Sequence, residues 1–226
     1  MANHLDLEEQ EQLDQLKHFW STWGTLISVV VIVVCGAIAS WNGYRYWQNR
    51  QALQAAVLTE AVNSAVQAND RGRVEQAWSD LSAKYGSTVQ AGQTGLVVAK
   101  YWVDSGALDN AKTTLEWVAG KASDDGLKAL AKLRLASVLM EQKAFDEALA
   151  QLSGAFPAEF EAVVADRKGD VQALKGNSKE AIAEYSRAYK AFDGRVEYRR
   201  LVEIKLNALG VQPQVVAAAT QPKESK

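Results

Sequence analysis

Residues 99–115 read AKYWVDSGALDNAKTTL, and the same layout recurs as AVQANDRGRVEQAWSDL at 65–81, ASVLMEQKAFDEALAQL at 136–152 and GDVQALKGNSKEAIAEY at 169–185. Each stretch opens on a small residue, Ala65, Ala99, Ala136 or Gly169. Seven positions on stands Gly72, Gly106, Lys143 or Gly176, where a chain leaving one helix needs a left-handed or flexible residue. An alanine follows at Ala77, Ala111, Ala148 and Ala181, and one turn later comes Leu81, Leu115, Leu152 or Tyr185 on the same face. The alanines are spaced by 34, 37 and 33 residues, the period of stacked helix-turn-helix units.

Ala, Leu, Glu, Gln and Lys dominate from Gln51 to Leu209, where Pro157 is the single proline, so this whole stretch reads as helix. Small residues at two fixed points let paired helices approach closely, while the Leu or Tyr fills the space beside them. One pair cannot bury its apolar stripe alone, so neighbours must stack. The order of small, turn, alanine and large-apolar positions resembles the tetratricopeptide repeat. Two positions depart from it: Lys143 replaces a turn glycine, and Gln172 stands where the last unit's first helix should present a large apolar residue. The longer interval of 37 is assigned to the connection Gly120 to Gly126, where Ser123, Asp124 and Asp125 are helix-start candidates.

The expected fold is all-α, with about four such units forming a solenoid over residues 45–209. A capping helix from about Val196 to Leu209 carries Val196, Leu201, Val202, Leu206 and Leu209 at helical spacing, with Arg195, Arg199, Arg200 and Lys205 mostly outside. Residues 210–226 contain Pro213 and Pro222 and no amphipathic period, and are expected to form a disordered tail.

Toward the amino terminus, the 26 residues from Phe19 to Tyr44 carry no charge, and Leu26 to Ala39 is almost wholly apolar. A helix of that length spans the hydrocarbon core of a bilayer, roughly 30 Å thick. Trp20 and Trp23 mark one border, and Trp41, Tyr44, Tyr46 and Trp47 the other, as rings with an apolar body and a polar edge do at the headgroup layer. The expected layout is an acidic leader at 1–18, a transmembrane helix at 19–44, the repeat domain and the tail. A cleaved export signal is the alternative, because Ala37-Ile38-Ala39 has the small-x-small pattern. The leader's Asp6, Glu8, Glu9, Glu11 and Asp14 argue against it, since such signals begin with cations. Lys17 and His18 on one side and Arg45 and Arg50 on the other leave the orientation open. The leader's interleaved Leu5, Leu7, Leu13, Leu16 and Phe19 suit either a short amphipathic protein-binding helix or a plain tether.

The inventory excludes most chemistry. Cys35 is the sole cysteine and lies in the apolar span, and His4 and His18 are both in the leader, so the repeat domain has no thiolate nucleophile, histidine base or histidine-based metal site. No phosphate-binding or dinucleotide glycine motif occurs, and no cofactor is expected. Asp124 and Asp125 read as helix caps, not as an acid and base couple. The net charge of −2 gives no electrostatic call for nucleic acid. Trp102 falls on a core face, while Trp78 and Trp117 fit either core or an exposed docking face.

An acidic leader, one aromatic-bordered span ending Gly43-Tyr44-Arg45-Tyr46-Trp47, degenerate four-unit repeats and the terminal Leu201-Val202-Glu203-Ile204-Lys205-Leu206 together resemble the YfgM-type family of bacterial inner-membrane proteins. The resemblance implies a non-enzymatic adaptor at the Sec translocon, with channel subunits, a PpiD-type periplasmic chaperone and exported polypeptides as partners. It also implies a cytosolic leader and periplasmic repeats. Projecting the inner face that tetratricopeptide scaffolds use onto this chain gives a groove of Val62, Val66, Leu96, Lys100, Val103, Leu130, Leu133, Met140, Val163, Asp166 and Asp170. Two other classes of role stay open: a scaffold for a different envelope assembly complex, and a regulator acting through the acidic leader.

Overall fold

The computed structural model describes residues 7–194 and 197–213, with side chains described from residue 12. Residues 1–6 of the leader, Arg195 and Val196 of the expected closing helix, and the tail from residue 214 lie outside the described residues. All regular structure among the described residues is helical: α1 (Leu7–Gln67), α2 (Arg71–Tyr85), α3 (Val89–Asp104), α4 (Leu108–Lys121), α5 (Asp125–Glu141), α6 (Phe145–Leu152), α7 (Glu161–Leu174), α8 (Ser178–Ala191) and α9 (Tyr198–Ala208), with a single 3-10 turn at Ala158–Phe160. The chain divides into two compact units, Met1–Gln51 and Ala52–Lys226.

In the first unit α1 is one helix long and apolar enough to cross a membrane, with a mean hydropathy of 2.2 in its most apolar window. Its hydrocarbon is turned outward: Leu26, Val29, Val30, Val31, Ile32, Val33, Val34 and Ile38 are all exposed. The hydroxyls of Ser21 and Thr22 both donate to the His18 carbonyl, at 3.0 and 2.9 Å, so neither needs water in an apolar surround. Near the far border Tyr44 stacks on Trp47 and the Arg50 guanidinium lies over the Tyr46 ring. No break occurs where the span was expected to give way to the repeats at residues 44 and 45, because α1 continues to Gln67.

In the second unit the tail of α1 pairs with α2, α3 with α4, α5 with α6 and α7 with α8, and α9 closes the series. Each pair turns through one geometry. Asp70, Ala107, Ala144 and Asn177 donate their amides to the carbonyls of Ala65, Trp102, Leu139 and Gln172, at 3.0, 2.8, 2.8 and 2.9 Å. The residue before each donor is left-handed: Asn69 at φ 52°, Gly106 at 74°, Lys143 at 61° and Gly176 at 81°. Gly106 and Gly176 take this at no steric cost, asparagine tolerates it, and Lys143 holds it without either advantage.

These turns correct the repeat register of the first pair. Its counterpart of Ala111, Ala148 and Ala181 is Val74 rather than Ala77, since Val74, Ala111, Ala148 and Ala181 each donate to the carbonyl that opens their helix. By the same shift Val62 replaces Ala65, Trp78 replaces Leu81, and Asn69 replaces Gly72, which lies inside α2. The intervals are therefore 37, 37 and 33 residues. A displacement of three residues is nearly one helical turn, so the displaced columns still meet the core: Ala65 and Leu81 are buried, and Ala77 is packed against the core. The shorter final interval follows the eight-residue α6, beyond which Pro157 and the 3-10 turn carry the chain to α7.

The columns pack as their sizes require. Ala99, Ala111, Ala136, Ala148 and Ala181 are buried, as are Leu115, Leu152 and Tyr185. Gly169 is a close approach within these columns, because a Cβ there would lie 2.5 Å from Cδ1 and Cε1 of the Tyr185 ring. Buried side chains form two clusters, one through the first three pairs and onto Val164 and Val171 of α7, the other joining α7 and α8 to Val202 and Leu206 of α9. Gly169→Ala should lower stability by about 1–2 kcal/mol, since the overpacking cost exceeds the helix-propensity gain of about 1 kcal/mol. Thermal unfolding of the repeat domain reads this directly, and an unchanged or raised melting temperature would contradict the tight contact.

Candidate functional site

The projected groove residues do not form one open surface. Val62 is a fully buried packing residue in the column of Ala99, Ala136 and Gly169. Leu96, Leu133 and Asp166 occupy a common column and are buried with it. These four are corrected from groove to interior, because in this register the column of Leu96 faces the neighbouring helices. Val66, Leu130, Met140 and Val163 are half-buried against the core. Asp170 is enclosed by charged partners, with its side chain 16% exposed.

What remains accessible lies between α3 and α5. Lys100 and Val103 line a depression of about 260 Å³ together with Ala99, Leu115, Arg134 and Ser137. Lys100 pairs with Asp104 one turn on. Arg134 crosses from α5 and donates Nη1 to the Leu96 carbonyl at 3.2 Å, which holds its stem against α3. Small-molecule sites span roughly 300–1,000 Å³. This mainly apolar hollow is therefore suited to one or two side chains of a polypeptide.

A second cluster gathers the charges that the sequence placed elsewhere. Lys205 of α9 reaches Asp166 Oδ1 and Oδ2 at 2.7 and 2.9 Å and Asp170 Oδ1 at 2.6 Å. The Tyr198 hydroxyl donates to Asp166 Oδ2 at 2.8 Å and the Tyr185 hydroxyl to Asp170 Oδ1 at 2.9 Å, while Arg167 Nη1 donates to Asp170 Oδ2 at 3.3 Å. Asp166, only 1% exposed, takes the place that Leu96 and Leu133 fill in earlier units. The sequence signal was available once the columns were in register, because a carboxylate in an apolar column demands a cation. Lys205, read as mostly outward, supplies it.

The arrangement holds α9 against α7 and α8. Burial, followed by the bond to Asp166 and its charge, pushes the Tyr198 phenol up to about 12. Burial and the Asp170 charge raise Tyr185 further still. Both phenols stay protonated donors. Among the described residues no group of acidic, histidine or cysteine side chains could hold a metal ion.

The remaining sequence candidates are structural. Trp102 is buried, and Trp78 and Trp117 meet edge to face at 5.0 Å against the core. Asp124 accepts the Leu127 amide at 2.8 Å as a helix cap, and Asp125 pairs with Lys128.

Lys205→Ala should cost about 3 kcal/mol, the low end for breaking a buried pair because Lys205 remains 29% exposed. Adding Asp166→Leu and Asp170→Ala should recover most of it in chemical denaturation. Failure to recover would show that the lysine acts other than by neutralising these carboxylates. The raised Tyr198 value favours the protonated fold, so its contribution is complete below pH 10 and is lost as pH climbs toward 12. Tyr198→Phe should flatten the alkaline limb of a melting-temperature profile over that window.

The model of the tetratricopeptide repeat-like domain family matches residues 17–211. Three curated relatives are each named an ancillary SecYEG translocon subunit. The protein from Neisseria gonorrhoeae is 35% identical over 213 residues, covering 92% of this chain and 100% of the relative. Its counterpart in Escherichia coli is 29% identical over 90% of this chain and 97% of its own length. That of Haemophilus influenzae is 27% identical over 90% and 98%.

Proposed function

The chain belongs to the tetratricopeptide repeat-like family of ancillary SecYEG translocon subunits, and from that membership we propose that it is a single-pass membrane adaptor of the translocon. The observation that carries this reading is the match over 92% of the chain, together with a family model that spans residues 17–211 and so includes the apolar part of α1 as well as the repeats. A subunit built of interior small-residue columns, neutralised charges and a shallow apolar hollow is equipped to bind protein, and its described residues present no catalytic constellation.

In this reading α1 anchors the chain in the inner membrane, the leader lies in the cytosol and the repeats in the periplasm. The hollow lined by Lys100, Val103, Arg134 and Ser137 receives a segment of a partner. A membrane-anchored periplasmic chaperone and emerging exported chains are its proposed occupants. An apolar floor with two cations at its rim suits varied segments carrying an acidic flank.

Affinity capture of the tagged full-length chain from detergent-solubilised native membranes should recover the translocon channel subunits. Val103→Asp should leave that recovery intact while reducing photocrosslinks from position 100 to chaperone or client by about five-fold or more, the effect of one disrupted contact. Release of the chain by alkaline carbonate, or recovery of cell-wall or outer-membrane assembly proteins in place of channel subunits, would overturn the proposal.

A further inference from the structure

Among the described residues of the repeat unit, no helix stacks on the first helical pair from its amino-terminal side. Leu53 and Val57, one turn apart on α1, are 70% and 71% exposed, above every other large apolar side chain described in the repeat unit. In the register fixed by the turns, Val57 corresponds to Thr94, Ala131 and Val164, which are 2%, 0% and 4% exposed. Ala61 corresponds to Val98 and Leu135, both buried, and is itself exposed.

The first helix of the preceding pair shares with its second helix in covering these counterparts. Thr94 meets Thr59 of α1 at 3.1 Å between hydroxyls, and Arg134, the counterpart of Glu60, bonds to the Leu96 carbonyl of α3. The covering helix runs parallel to the one it covers: Leu127 lies against Gly92, and farther along both helices Arg134 reaches Leu96. Val57 and Ala61 therefore stand where later pairs are covered, in the molecule's own repeat register, with Leu53 one turn before them and Glu60 at the margin of the strip, where its counterpart Val97 is exposed.

A second copy is a poor occupant. Placed parallel, it would set Glu60 against its own counterpart, an unfavourable like-charge contact. Its carboxy-terminal end is already closed by α9 through Lys205 and Asp166. We propose that this strip docks a helix of a different protein, parallel to α1, with apolar residues one turn apart over Leu53 and Val57 and a lysine or arginine facing Glu60. The occupant is the helix that leaves that protein's own membrane span, since Leu53 stands only nine residues along the chain from Tyr44, where the uncharged run ends. This rests on the membrane-anchor reading above.

The test uses the full-length chain in native membranes, with a photoreactive residue at Leu53 or Val57 and at the exposed Leu174 as control. The expected adducts form at 53 and 57 and not at 174, join one protein of different mass, and map to a helix adjoining an apolar span with the stated pattern. Glu60→Lys should reduce them by about five-fold without changing the melting temperature, and reversing the partner's cation should restore them. Adducts of twice the chain's mass, adducts to lipid alone, or a crosslinked segment lacking the pattern would overturn the docking site. Channel subunits captured from the same membranes separate the two readings: their retention without these adducts sinks the docking strip alone, and their absence sinks the translocon assignment.

Discussion

A helical hairpin whose apolar residues lie on both flanks cannot bury them by folding on itself, and this constraint governs the whole repeat unit. Each pair lends one flank to the pair before it and the other to the pair after it. Ala99, Ala136 and Gly169 are small where the two helices of a pair meet, and Gly169 against the Tyr185 ring shows how close that approach is. A stack of this kind necessarily has two ends, and the two are finished differently.

The carboxy-terminal end is closed by a helix of the same chain. There α9 covers the last pair with Val202 and Leu206, and its Lys205 neutralises two carboxylates that stand on α7. A charge in an apolar column is costly unless fully partnered, so Asp166 makes the cap selective for a helix that brings a cation to that point. Among the described residues no helix closes the amino-terminal end in this way. Val57 of α1 is exposed where its counterparts Thr94, Ala131 and Val164 are buried.

Function follows from the same economy of surface. Many polar groups are spent on turns, caps and the α9 lock, and among the described residues no group of acidic, histidine or cysteine side chains could hold a metal ion. What is offered outward is shape: a hollow between α3 and α5, and a helix face in stacking register. Those are the means of an adaptor, which gains affinity by fitting another polypeptide to an existing rigid face.

Much of this was legible in the residues. Alanine and glycine recurring near a fixed interval declare helical pairs, and an uncharged run of 26 residues declares a span, because both depend on local periodicity alone. The register of the first pair was not legible, since Gly72 and Ala77 imitate a turn and a packing residue one helical turn out of step, and only the hydrogen bond from Asp70 to Ala65 exposes the error. The groove was misjudged for a related reason: a face drawn on single helices cannot tell which flank a neighbour will cover, so Leu96, Leu133 and Asp166 were taken for surface. By itself the sequence determined the helical class, the number of pairs and the membrane-compatible segment. Only the tertiary structure decided which columns meet, that Lys205 answers Asp166 from 39 residues away, and which end stays open, because burial belongs to the pairing of helices and not to any one of them.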